Sequence, residues 1–193
     1  MTDFSKKSGT MEYFNSIMDD LKQAKIESIF SFCPPFWSHY RGYRTYDTDT
    51  EIYILLENGF CLVINYRFID ALDIQFRKLT LSEQEEHQNL LIKDLFNTVN
   101  DIHDFHTNRI HRTETCNLEY GSIVKVTLQS VTKDYNKWLD GHIDLVSPTE
   151  ETFDEIKFTM SNGKSFAICA DDADADGYIL LWSEDTEETI TEK

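Results

Sequence analysis

Three aspartates near the end of the chain have the spacing of cation ligands. Asp172, Asp174 and Asp176 alternate with alanines, and Gly177 follows directly. Alternate carboxylates can converge on one hard cation such as calcium, while a glycine permits the sharp turn that this requires. The pattern is therefore a candidate calcium loop.

This segment resembles the first two thirds of an EF-hand calcium loop, and the match includes the apolar Ile179 at the eighth position. The twelfth position, where that loop has a bidentate glutamate, is Ser183, and Glu184 comes one residue late. The sequence on both sides predicts strands rather than the two helices of an EF-hand. We therefore interpret the segment as an acidic hairpin loop with Asp-Gly turn chemistry, and calcium binding is the alternative.

Histidines gather in the middle of the chain, at His103, His106 and His111, with Cys116 nearby. His103 and His106 are three residues apart, so on a helix they could share a metal. A third ligand would have to come from outside the helix, and no H-E-x-x-H motif is present. We interpret these residues as helix-end histidines favoured by the helix dipole, and we predict no cofactor.

The four cysteines, Cys33, Cys61, Cys116 and Cys169, form no C-x-x-C pair. Cys61 and Cys169 lie inside apolar, strand-like runs, which predicts buried, reduced thiols. The first seven residues lack the apolar core of a signal peptide. Together these features predict a cytoplasmic protein.

The sequence contains none of the compact motifs of catalysis or phosphate binding. It has no G-x-S-x-G elbow, no G-x-x-x-x-G-K loop and no G-x-G-x-x-G fingerprint. Only seven glycines are present in the chain. We therefore expect a protein that is not an enzyme, and an enzyme of unknown class is the third hypothesis.

Charge gives the strongest functional signal. The chain has 35 acidic and 18 basic residues, a net charge of −17, which argues against nucleic acids and anionic membranes as partners. Residues 151–193 contain 12 acidic and 3 basic residues, whereas residues 1–50 contain 7 and 6. The acidic residues singled out in the C-terminal segment are Asp171, Asp172, Asp174, Asp176, Glu184, Asp185, Glu187 and Glu188. A surface of this kind suits a basic protein partner, and the alternative is an acidic surface that provides solubility alone.

A second candidate contact surface is the aromatic and basic stretch of residues 36–46. It contains Trp37, Tyr40 and Tyr43 together with Arg41 and Arg44. Tyrosine, tryptophan and arginine supply most interface hot spots. The alternative is an ordinary strand or loop that covers the core.

These observations lead to one main hypothesis. The chain would be an acidic inhibitor or immunity-type protein that neutralises a basic toxin, such as a nuclease, by occluding its substrate cleft. The contact residues would come from the acidic and the aromatic segments. They are Asp171, Asp172, Asp174, Asp176, Glu184, Asp185, Trp37, Tyr40 and Tyr43.

Two helices are predicted from apolar periodicity. The first runs from Thr10 to Phe30, and the second from Leu81 to His106. Thr80 and Glu83 have the spacing of a capping box for the second helix, and Ser82 and Glu85 are the alternative pair. The apolar stripe of the second helix comprises Leu91, Leu95, Val99 and Ile102, flanked by Ile92 and Phe96.

The rest of the chain predicts an antiparallel sheet. Asn58-Gly59 predicts a hairpin with a type I′ turn and with both arms covered on two faces. Asn162-Gly163 predicts a second hairpin, with a three-residue loop or a bulge that pairs Met160 with Phe166. Val124, Val126 and Leu128 predict a strand with one wet face.

The predicted fold is α+β, mainly an antiparallel sheet of about six or seven strands with two main helices. The length fits one globular domain covering residues 1–193. Residues 184–193 are polar and acidic, which predicts a frayed tail.

Overall fold

The computed structural model confirms an α+β fold built mainly from antiparallel sheet. It describes residues 11–33, 36–40, 43–48, 50–67, 71–90, 93–95, 101–104, 109–112, 120–132, 144–146, 153–171 and 178–182. Within them, the helices are α1 (Met11–Leu21) and α2 (Leu81–Asn89). The strands are β1 (Ile26–Phe30), β2 (Phe36–Tyr40), β3 (Tyr43–Thr48), β4 (Ile52–Leu56), β5 (Phe60–Arg67), β6 (Ala71–Lys78), β7 (Asp101–Asp104), β8 (Arg109–Arg112), β9 (Ile123–Thr132), β10 (Asp144–Val146), β11 (Glu155–Met160), β12 (Ser165–Asp171) and β13 (Tyr178–Trp182).

The described strands form a four-stranded antiparallel sheet, called the smaller sheet, a seven-stranded antiparallel sheet, called the larger sheet, and a two-stranded ribbon. The smaller sheet has the order β1-β4-β5-β6, and the larger one has the order β10-β9-β11-β12-β13-β3-β2. The ribbon pairs β7 with β8. Because β13 lies between β12 and β3, the C-terminal strand joins the first part of the chain to the last.

One apolar cluster, called the main cluster, combines side chains of α1, of the smaller sheet and of the larger sheet. It contains Ile17 and Leu21 of α1, Ile54 of β4, and Phe158 and Ile168 of the larger sheet, all fully buried. A backbone hydrogen bond also joins β6 of the smaller sheet to the segment before β11, from the Leu72 amide to the Phe153 carbonyl at 2.9 Å.

The smaller sheet is covered on its other face too. Here Phe30, Tyr53, Leu55, Cys61 and Val63 form the second cluster. Successive residues of β4 therefore alternate between two apolar environments, which explains why all five are buried. The prediction that both arms of this hairpin are covered on two faces is confirmed.

Both Asn-Gly hairpins use the same three-residue loop. The first loop is residues 57–59, between β4 and β5. The second is residues 161–163, closed by a hydrogen bond from the Met160 amide to the Lys164 carbonyl. The last residue of each loop is a glycine with positive φ. The φ angles are 79° at Gly59 and 86° at Gly163.

The asparagine before each glycine also has the same role. Its side-chain oxygen accepts a 3.0 Å hydrogen bond from the backbone amide two residues later, at Phe60 and at Lys164. The expected type I′ turn is therefore wrong for the first hairpin, because positive φ is found at Gly59 and not at Asn58.

At the second hairpin the three-residue loop is confirmed, but the predicted register is not. Phe166 pairs with Phe158 instead of Met160. The difference is two residues along the strand, which keeps the apolar side chains of both arms on one face. The apolar pattern alone therefore could not distinguish the two registers.

The first predicted helix is too long. α1 ends at Leu21, and Gln23 adopts a φ of 66°, the left-handed conformation that commonly ends a helix. The Gln23 amide then donates a hydrogen bond to the Ile123 carbonyl of β9 at 3.1 Å. Residues 26–30 continue as β1 because there they pair with β4 and fill both clusters.

The second predicted helix is also wrong beyond Asn89. Leu90 has extended backbone angles and packs on the second cluster, whereas Leu95 belongs to the main cluster. The Leu95 amide donates to the Ile29 carbonyl of β1, an outer strand of the smaller sheet, at 2.7 Å. The chain therefore passes across a sheet edge, which a continuous helix could not do. Ile102 lies on β7, and Leu91, Ile92, Phe96 and Val99 fall outside the described residues.

A bulge changes the strand predicted around Val124. The register shifts between Lys125 and Ile123, so that Ile123 pairs with Met160 and is buried. Val124 is left 49 % exposed. Val126 and Leu128 keep their predicted apolar face, opposite Phe158 and Ile156.

Candidate functional site

The structure describes only some of the predicted contact residues. Trp37 and Tyr40 lie on β2, Tyr43 on β3, and Asp171 ends β12. The remaining predicted contacts fall outside the described residues, namely Asp172, Asp174, Asp176, Glu184 and Asp185. Residues 184–193, predicted as a tail, lie outside them as well.

The larger sheet brings the aromatic and the acidic segments together. β13 follows the acidic loop and precedes Glu184, and it pairs directly with β3. β3 in turn pairs with β2, where Trp37 lies opposite Tyr46. The aromatic hairpin and the strand that links the acidic segments are therefore neighbours in one sheet.

Within this sheet, the placed residues lie at two ends. Asp171 pairs with Tyr178, next to Thr48 at one end of β3. Tyr40 and Tyr43 pair with each other at the opposite end of β3, roughly 16 Å away at about 3.3 Å per residue. One partner would have to span both ends to contact all of them.

The acidic residues of 151–193 whose burial the structure describes, Asp154 and Glu155, are buried inside the protein. Asp154 is 6 % exposed and Glu155 is 1 % exposed. Backbone hydrogen bonds fix this segment, since the Asp154 amide donates to the Gln129 carbonyl and its carbonyl accepts from the Ala170 amide. These two carboxylates are therefore not part of an acidic surface.

The residues considered as candidate metal ligands are not grouped where the structure describes them. His103 lies on β7 opposite Ile110, and His111 lies on β8 opposite Ile102, so the helical interpretation of these histidines is wrong. His106 and the Asp172–Asp176 loop fall outside the described residues. Within the described ranges, no three His, Cys, Asp or Glu side chains are grouped to hold a metal ion.

The described cysteines are free thiols. Cys61 and Cys169 are buried, as predicted, and Cys33 is half-buried. Cys116 lies outside the described residues. Burial raises the pKa of the Cys61 thiol to about 12, so at neutral pH it is protonated and a poor nucleophile.

The most elaborate polar arrangement in the described part of the chain surrounds Glu83 on α2. Its carboxylate accepts two hydrogen bonds from the Arg77 guanidinium at 2.7 Å each, one from the Thr80 amide at 2.7 Å and one from the Tyr53 hydroxyl at 3.1 Å. The Glu83 amide completes the predicted capping box by donating to the Thr80 hydroxyl at 3.3 Å. We call Tyr53, Arg77 and Glu83 the clasp.

The clasp fixes the ionisation of its own groups. The hydrogen bonds from Arg77 lower the pKa of Glu83 to about 2, although partial burial opposes this. The bond to Glu83 raises the pKa of Arg77. Burial and the nearby carboxylates raise the pKa of Tyr53. The clasp thus holds a stable ion pair and provides neither a proton donor nor a base near neutral pH.

His87 lies one helical turn after Glu83 and contacts the second cluster. Its ring centroid is 4.2 Å from that of Phe30. Its Nε2 atom is buried and has no hydrogen-bond partner among the described residues. Burial, followed by the charge of Lys93, lowers the pKa of His87, and Glu27 opposes the shift. The ring is therefore neutral at pH 7.

An open depression of about 410 Å³ lies between the end of α1 and the β4–β5 loop. Its lining is polar and includes Lys22, Lys25 and Glu57. Lys22 pairs with Asp19 at 2.9 Å and Lys25 with Glu57 at 3.8 Å. These charges are compensated locally, so the depression has no charge preference that would indicate a ligand.

Comparison with known proteins gives no match to any protein-family model, curated protein or solved structure. Among the described residues, neither helix has the length and apolar character of a membrane span.

Proposed function

We propose that this chain is an acidic protein-binding inhibitor of the immunity type, which neutralises a basic toxin by covering its substrate cleft. The observation that carries the proposal is the charge of the C-terminal segment. From Asp171 onward the chain has nine acidic residues and one basic residue. Such a segment attracts a basic protein and can mimic the charge of a nucleic acid.

A nuclease is the class of toxin that fits this charge best. Its substrate is a polyanion, so its cleft must be basic, and an acidic protein can occupy the same cleft. In this proposal the inhibitor acts in the cytoplasm. The free thiols of Cys33, Cys61 and Cys169 are compatible with that compartment.

The fold supports a contact surface made of more than charge. β13 connects the acidic residues on its two sides and pairs with β3 of the aromatic hairpin. Trp37 and Tyr43 would supply apolar anchor contacts, and the carboxylates would supply steering and selectivity. Both segments are therefore included in the proposed surface.

The proposal is tested with the product of the gene adjacent to this chain's gene. That product, expressed alone in a bacterial host, should arrest growth, and co-expression of this chain should restore it. The variant with Asp172→Lys and Asp174→Lys should lose the rescue, because both changes place like charges against a basic cleft.

The matched control is Glu85→Lys with Glu86→Lys, which changes the net charge equally. Both glutamates are exposed on α2, outside the proposed surface, so this variant should still rescue growth. Equal loss of rescue in both variants would show a nonspecific charge effect. Full rescue by the aspartate variant and by Trp37→Ala with Tyr43→Ala would contradict the proposal.

A further inference from the structure

α2 is attached to the smaller sheet in an unusual way. None of its nine residues, all of which the structure describes, is buried. Beneath it lies the second cluster, where Phe30, Tyr53, Leu55, Cys61 and Val63 are all at most 9 % exposed. A helix that covers an apolar surface normally contributes an apolar stripe of its own.

Instead, α2 contacts the sheet through Glu83 and His87, its two half-buried side chains. The clasp ties Glu83 to Tyr53 on β4 and to Arg77 on β6. The Glu83 and Arg77 side chains are only 16 % and 30 % exposed, so this ion pair is partly shielded from water. The His87 ring packs against Phe30.

A helix of this length is not stable alone, because isolated helices shorter than about 12 residues are marginal in water. α2 also lacks an apolar stripe, since Leu81 at its first position is 79 % exposed and its other residues are polar. Its closed position therefore depends on the clasp, on the contact of His87 with Phe30 and on Leu79 and Leu90, which flank the helix and pack on the second cluster. The two sheets depend instead on the main cluster. Segments with few buried apolar contacts have the lowest local stability in a protein.

We propose that α2 is a cover held by the clasp, and that it opens as a unit while the smaller and the larger sheet stay folded. Opening breaks the bonds of Glu83 to Tyr53 and Arg77 and exposes the second cluster. The thiol of Cys61 can report the opening, because it is fully buried in that cluster. It also lies close enough to Arg77 and Glu83 for their charges to affect its pKa.

The test is the rate of native-state thiol labelling with methyl methanethiosulfonate, an uncharged reagent. Cys33 and Cys116 are first replaced by serine, so that Cys61 and Cys169 can be compared. Cys169 is 1 % exposed and lies on β12, so it reports unfolding of the larger sheet. Cys61 should react at least about tenfold faster than Cys169, because local opening costs less than global unfolding.

Two variants separate the cover from the core. Glu83→Gln should raise the labelling rate of Cys61 about tenfold, because it weakens the charge-assisted bonds to Arg77. Tyr53→Phe, which removes a single bond to Glu83, should raise it less. Met160→Ala, a truncation in the main cluster, should accelerate only Cys169.

Two results would overturn the proposal. If Cys61 and Cys169 react equally fast and respond equally to Met160→Ala, then Cys61 is reached only by global unfolding. If neither Glu83→Gln nor Tyr53→Phe changes the rate of Cys61, the clasp does not hold the cover.

Discussion

Glu83 and His87 make the attachment of α2 dependent on pH through two separate groups. The pKa of Glu83 is lowered to about 2 from an ordinary value of 4.5. Its stabilising effect is therefore present above pH 4.5 and is lost as the pH falls toward 2. The pKa of His87 is lowered below its ordinary value of 6.5, so the folded state resists protonation of this ring.

Because the pKa of His87 is lowered in the folded state, the stability of the chain should depend on pH in the mildly acidic range. The unfolded state binds a proton below pH 6.5 more readily than the folded state does, so the free energy of unfolding falls as the pH drops below 6.5. His87→Phe keeps an aromatic ring against Phe30 and cannot be protonated. Relative to this variant, the wild-type chain should become progressively less stable between pH 7 and pH 5.

Urea unfolding of both proteins at several pH values measures this difference. His87→Phe is a suitable control because the Nε2 atom makes no hydrogen bond with a described residue, so its removal leaves no described partner unsatisfied. A stability difference that stays constant from pH 7 to pH 5 would show that His87 does not titrate differently in the folded state.

At the residue scale, the sequence predicts contacts that are local and misses those that are not. The bond between Thr80 and Glu83 follows from their spacing of three residues. The bond from Tyr53 to Glu83 joins residues 30 apart, and no local pattern indicates it. Asp154 and Glu155 look like surface charges in the sequence, but the sheet buries them.

At the scale of single elements, the two Asn-Gly loops give a direct stability prediction. Gly59→Ala and Gly163→Ala should each lower the free energy of unfolding by about 1 kcal/mol, because an L-residue is strained in the left-handed region. An added Cβ would meet no atom within 4 Å at either position, so strain rather than a clash is the cause. Denaturant unfolding followed by circular dichroism measures the loss.

Asparagine at the same positions is the matched control. Gly59→Asn should cost less than Gly59→Ala, since asparagine tolerates positive φ better than alanine does. If alanine and glycine gave equal stability at both loops, the positive φ angles would not constrain these turns.

Element positions are more predictable from this sequence than element lengths. Asn58-Gly59 and Asn162-Gly163 mark both hairpins because their turn chemistry is local. The helix ends are not marked in the same way. The apolar residues Leu90 and Leu95 continue a helical pattern, yet they fill two different clusters on either side of β1. Tertiary packing therefore decides where α2 ends.

For the whole molecule, the α+β class and the antiparallel sheet follow from the sequence, whereas the order of strands does not. The pairing of β13 with β3 joins Leu181 to Tyr46 across most of the chain. This pairing matters most for the proposed function, because it places the aromatic hairpin beside the strand that joins the acidic segments. The charge imbalance is visible in composition alone, and its relation to that hairpin appears only in the fold.

In the proposed function, the acidic surface binds a basic protein by electrostatic steering. The most direct measurement is the association rate constant of the purified chain with the adjacent gene's product, at ionic strengths of about 0.01 M and 0.15 M. The Debye length falls from about 30 Å to about 8 Å over this range. We predict that the rate constant falls at least about tenfold with added salt, and that Asp172→Lys with Asp174→Lys removes most of this dependence. An association rate that is the same at both ionic strengths, or an absence of binding at low salt, would contradict the account.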